Sequence, residues 1–160
     1  MIPKDVLYTG VDIAKGMIDE ARKYDRNPKH TYLIADVTQA VSAPKTFTHT
    51  TFILSLQNIK DQKGAIKLTS EHLATNGTLI IVLNHPAFRI PRQSSWEIDE
   101  NNKLEYRRIN RYLTPLEVPV NMHPSERNSQ ITWSYHEPIS NYSAYLKNNG
   151  FVIEILEEWT

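Results

Sequence analysis

The chain has 160 residues, 40% of them apolar, and its 18 basic and 18 acidic side chains cancel to zero net charge. That length suits one domain with enough apolar residues for a core, and neutrality removes any global field that would draw in nucleic acid or an anionic membrane. The lack of cysteine excludes disulfides and thiolate metal sites and fits a reducing compartment; with no signal-peptide pattern at "MIPKDVLYTG" and no apolar run near the roughly 20 residues of a membrane span, the expected setting is cytoplasmic.

"DVLYTGVDI" reads as a β-branched and aromatic strand ending in an acid, Asp12. Residues 14–24 follow with helical spacing, Ala14, Met17, Ile18 and Ala21 on one face. "RNPKH" is a loop. "TYLIADV" is a short buried-type strand that also ends in an acid, Asp36, and "VSAPKT" is the next loop. "FTHTTFILSL" is a third strand. Residues 62–75 form a helix with Ala65, Ile66, Thr69 and Leu73 inward, and Asn76-Gly77 is the expected cap at its end. "TLIIVLN" is a continuous apolar strand of the kind buried on both faces of a parallel sheet. Residues 85–130 are rich in Pro, Arg, Asn and Ser and show no sustained periodicity, so they read as an insert or lid. "SQITWSYHEP" alternates like a strand, "ISNYSAYLKNNGF" is a helix ending at Gly150, and "VIEILEEW" is a closing strand. Strand and helix alternate throughout, which predicts an α/β fold with an open, mostly parallel, Rossmann-like sheet and helices on both faces.

In such sheets ligands bind outside the carboxyl ends of the strands. Asp12 and Asp36 both fall there. A carboxylate at that edge can accept two charge-assisted hydrogen bonds from a ribose diol, and an acid after the next strand can accept from an exocyclic amine. Each acid can also simply cap the turn that follows it. Ile13 is placed to pack on a base. The six histidines (30, 49, 72, 85, 123 and 136) form no HExxH or other metal-ligand pattern, so no metal is expected. His85 follows the fifth strand and is the candidate general base; "NHP" can equally turn the chain, because a residue before proline leaves the helical region. His136 ranks below it. "EYRRINRYL" mixes Arg with Tyr, as a nucleotide surface would, but the nearby acids Glu97, Asp99, Glu100 and Glu105 offset its charge and favour a solvated lid segment.

"GVDIAKGMIDEAR", "IADV", "FTHTTFILSLQNI", "LATNGTLIIVLNHPAF" and "WSYHEPISNYSAYLKNNGFVIEILEE" together resemble class I S-adenosylmethionine-dependent methyltransferases of the type 11 kind, over nearly the whole chain. The resemblance implies S-adenosylmethionine as cofactor and a small molecule as methyl acceptor. It implies Asp12 on the ribose, Ile13 beside the adenine, Asp36 and Val37 at the adenine edge, and Ser55, Leu56 and Gln57 facing the methionine moiety or the substrate, with the insert shaping the substrate pocket. It also implies a glycine-rich loop roughly 20 residues before Asp12, and counting back that far passes Met1. The first strand and its loop are therefore expected to lie outside this chain, with cofactor binding weakened or lost. The gap in the sheet is then expected to close by direct pairing of the flanking strands, by a second copy in a homodimer, or by a separate N-terminal fragment. A non-enzymatic assembly or binding module built on the truncated fold is the alternative reading.

Overall fold

The computed structural model describes residues 2–39, 46–121 and 130–159. His123 and most of the "VSAPKT" loop lie outside them. In chain order the elements are β1 (Tyr8–Asp12), α1 (Lys15–Tyr24), β2 (His30–Ile34), β3 (Phe47–Ile53), a 3-10 turn (Leu56–Asn58), α2 (Gln62–His72), β4 (Leu73–Val82), β5 (Ser94–Asp99), β6 (Leu104–Ile109), β7 (Leu116–Asn121), β8 (Ile131–His136) and α3 (Ile139–Asn148). The α/β fold class holds. β1 pairs with β2 and β3 with β4, both parallel, each pair joined through a helix or turn-and-helix crossover. β5–β6 and β7–β8 are antiparallel. Among the described residues the strands form four two-stranded sheets rather than one continuous sheet. Among the described residues β1 and β3 are not hydrogen-bonded to each other, so direct pairing of those two strands does not occur.

The core sits on the β3–β4 pair. Phe52, Leu56, Ala65, Ile66 and Tyr142 are buried together, with Val37, Ile81 and Leu146 packed around them. Helix α2 starts where its sequence says it should. The Asp61 carboxylate accepts from Gly64 N at 2.8 Å, a side-chain cap on an otherwise orphaned helix N–H. Gln62, at the first position of α2, is buried and donates to Tyr135 O at 2.8 Å, which ties the helix to β8.

Three expectations need correction. Helix α2 ends at His72, not at residue 75, and its cap is Leu73 in extended geometry, so Asn76-Gly77 does not end it. The reason is that Leu73 already pairs with Phe47; the register then shifts, and Asn76, at φ 61°, turns the chain before the regular ladder from Thr78 to Val82. The segment 85–130 is not without strands. It contains the hairpin β5–β6 and strand β7, and it hides them because turn-forming Asp99 and Asn102, which hydrogen-bond each other at 2.8 Å, sit between short, polar-rich strands. Finally, "VIEILEEW" is not a strand here. Residues 151–159 have no ladder partner, and Val152, Ile155, Leu156 and Trp159 are exposed.

At the amino ends of β1 and β2 a polar cluster fastens the first sheet. Asp25 accepts from His30 Nδ1 and from the Tyr32 hydroxyl, both at 2.6 Å, and from Asn27 N at 3.0 Å. The Tyr32 and His30 hydrogen bonds hold the Asp25 carboxyl down at about 2. A carboxyl whose folded-state pKa lies below its ordinary value stabilises the fold above that ordinary value and ceases to as pH falls toward the folded one. Between about pH 4 and pH 2, therefore, the melting temperature should fall less steeply in Asp25→Asn than in the parent, as measured by thermal denaturation across that range.

Candidate functional site

Within each parallel pair the carboxyl ends of the two strands lie side by side. Asp12 closes β1 and pairs with Ile34, the last residue of β2, so Asp36 emerges two residues further along the neighbouring strand. Asp12 Oδ1 accepts from Ala14 N at 2.8 Å and so caps the turn into α1. Its other oxygen makes no hydrogen bond among the described residues. Ile13 beside it is 71% exposed. Asp36 is held more locally: Oδ1 accepts from Thr38 N at 2.9 Å and from the Thr38 hydroxyl at 2.7 Å, and Gln39 reaches Oδ2 at 3.3 Å. The Thr38 hydrogen bonds lower the Asp36 pKa and keep it anionic. Val37 turns the other way and packs on the core cluster.

In the other parallel pair, β3 ends in a sharp bend. Leu54 has φ 51°, the left-handed region that a branched apolar residue rarely occupies, and it stays half-exposed. Such strain persists where surrounding contacts enforce it. Here the Leu54 carbonyl collects side-chain amides from Gln57 at 3.1 Å and Asn58 at 3.3 Å, and Leu54 N donates to Val82 O at 2.9 Å. The bend throws Ser55, Leu56 and Gln57 into the 3-10 turn. Ser55 stands at its start and is partly exposed; Leu56 points inward and is fully buried in the core; Gln57 lines an open cleft. The amide oxygen of Gln57 is buried without a hydrogen-bond partner among the described residues. A buried acceptor left unpaired costs about 1–3 kcal/mol.

The far wall of that cleft comes from the turn after β4, with Asn84 and His85, and from the end of β8, with Ser134 and His136. His85 is heavily engaged. Its Nδ1 accepts from Ala87 N at 3.1 Å and Phe88 N at 3.2 Å, so Nε2 carries the proton and donates to Glu158 at 2.5 Å. Phe88 packs against the ring at 4.4 Å between centroids. A histidine with both nitrogens so occupied shapes the turn and anchors the C-terminal segment. His136, ranked second from the sequence, is 7% exposed and donates from Nε2 to Tyr112 O at 2.8 Å. It closes β8, whose burial deepens from an exposed Ile131 to a buried His136 instead of alternating, so the alternation of "ITWSYH" does not report its depth. Among the described residues no group of three metal-ligating side chains comes together, and no helix is long and apolar enough to cross a membrane.

Against known proteins, residues 4–81 match the methyltransferase domain family. No curated protein matches the sequence. Among solved structures, an S-adenosylmethionine-dependent methyltransferase from Mesorhizobium loti is 23% identical, with a TM-score of 0.78 over 96% of this chain and 68% of that one. One from Listeria monocytogenes assigned to the same class is 23% identical, with a TM-score of 0.72 over 92% of this chain and 67% of that one. The glycopeptide N-methyltransferase MtfA, solved with S-adenosylmethionine, is 14% identical, with a TM-score of 0.58 over 92% of this chain and 67% of that one. At these identities the likeness is one of fold, and the chain spans about two thirds of each of these structures.

Proposed function

We propose that this chain, which by fold and by the family of its residues 4–81 is related to the class I S-adenosylmethionine-dependent methyltransferases, takes part in methyl transfer from S-adenosylmethionine to a small-molecule acceptor. The observation that carries the reading is the chemistry at the carboxyl ends of the parallel strands. The groups there are hydrogen-bond acceptors: the second oxygen of Asp12, the anionic Asp36 carboxylate already held by Thr38 and Gln39, and the buried, unpaired amide oxygen of Gln57. An adenosyl sulfonium presents the complement, namely ribose hydroxyls, an exocyclic amine, an ammonium group and a positive charge. The residues therefore fit the group.

In this reading Asp12 grips the ribose, Ile13 covers one face of the base, and Asp36 takes the exocyclic amine. Val37 braces the adenine edge from the core. Ser55 and Gln57 face the methionine and acceptor end, and Leu56 holds their turn rigid from beneath. The bound cofactor supplies an electrophilic methyl group, so the protein's task is alignment and the exclusion of water. The unpaired inner edges of β1 and β3 support a companion reading, in which a strand from a second copy or a separate fragment fills the space between them. Isothermal titration with S-adenosylhomocysteine tests the cofactor assignment on the intact chain. Saturable one-site binding is the expected result; no heat and no shift in melting temperature at millimolar ligand would overturn it.

A further inference from the structure

We propose that His136, not His85, is the proton acceptor of this site, and that with Gln57 it selects an acceptor molecule presenting an amino group. The inference rests on the methyl-transfer reading. A backbone carbonyl can only accept, so the 2.8 Å contact from Nε2 to Tyr112 O puts the ring proton on Nε2. The neutral ring then carries its lone pair on Nδ1. That nitrogen has no hydrogen-bond partner among the described residues, and the ring lies in the cleft wall. The ring cannot swing away freely, because it is 7% exposed and is tilted against Tyr112 at 6.2 Å between centroids. His85 offers no such lone pair, since two backbone N–H groups take its Nδ1.

A second observation points to the same ligand. The Gln57 amide oxygen, in the same cleft lining, is also an acceptor without a donor. Two acceptors unmatched at one cleft call for a group with two N–H bonds rather than a single O–H. As the acceptor nitrogen forms its bond to the methyl carbon, the carbon–sulfur electron pair leaves with the thioether. One N–H proton passes to Nδ1 of His136. The resulting imidazolium keeps its Nε2–H on the Tyr112 carbonyl and has Glu137 adjacent in sequence. The other titratable groups around the ring are His85 and Arg89 from the turn after β4, Tyr112 before β7, Tyr135 on β8 and Tyr142 on α3.

The test is imidazole nitrogen NMR on uniformly 15N-labelled intact protein, with His136 assigned by loss of its signals in His136→Gln. At pH 8 the expected pattern is an unprotonated Nδ1 and a protonated Nε2. Aniline, a neutral N–H donor, should then move the His136 Nδ1 resonance saturably, and phenol, with one donor, should bind at least about threefold more weakly. A proton found on Nδ1 overturns the proposal. So does an Nδ1 resonance that neither probe moves at saturating concentration. Equal affinity for the two probes overturns the amino-group assignment. These readings need no cofactor, so their failure beside intact S-adenosylhomocysteine binding would sink His136 and leave the methyl-transfer reading standing.

Discussion

Asp12→Ala is expected to weaken S-adenosylhomocysteine binding by at least about 100-fold. A carboxylate on a ribose diol makes two charge-assisted hydrogen bonds worth roughly 1.5–3 kcal/mol each, and 1.4 kcal/mol is a factor of ten in affinity. The same substitution also removes the cap on Ala14 N, which costs helix stability of about 0.5–2 kcal/mol. Asp12→Asn separates the two effects. Its amide oxygen keeps the 2.8 Å contact to Ala14 N, while the charge is lost. Isothermal titration should show both variants binding far more weakly than the parent, and thermal melts should show Asn more stable than Ala. If Asn binds like the parent, Asp12 is a capping residue only.

Leu56→Ala is expected to act on the fold. Leu56 is fully buried among Phe52, Ala65, Ile66 and Tyr142. Removing three carbons from such a site loses transfer free energy and leaves a cavity, which together cost about 2–5 kcal/mol. For a domain of this size that is a large share of total stability. Urea denaturation should report a lower midpoint with little change in slope. If the midpoint instead stays put while ligand affinity falls, Leu56 contacts the ligand and does not hold the turn.

Much of this was legible in the residues. β1, β2 and α1 announce themselves because "YTGVD" and "HTYLI" are β-branched and aromatic, and the helical spacing of residues 14–24 is real, although only Ile18 of its apolar face is buried and Met17 is exposed. Asp12 was visible for the same reason, since a strand that stops at Asp puts that Asp at its end; Asp36 lies two residues beyond Ile34, the last of β2. The insert was illegible because its hairpin β5–β6 pairs only with itself, and β7 pairs with β8 beyond the insert. Trp96 and Ile98 are exposed, so their alternation follows no inside–outside rule. The tail failed in the opposite way. "VIEILEEW" has the composition of a strand, but composition cannot say whether an edge is offered to it. Nor can a sequence report that a histidine's two nitrogens are already taken, which is why His85 outranked His136 until the hydrogen bonds were in view.

The division of the sheet has a further consequence. Asp12 and Asp36 belong to the β1–β2 pair, and Gln57 and His136 to the part built on β3, β4 and β8, with no ladder joining the two. Each part has its own closely spaced set of stabilising contacts, the Asp25 cluster for one and the Leu56 core for the other. Local opening in one need not propagate to the other. A ligand held at both ends therefore does more than occupy a pocket. On the proposed reading it would tie the two parts across that break, beyond the packing of Val37 on the core, and so add to the stability of the whole.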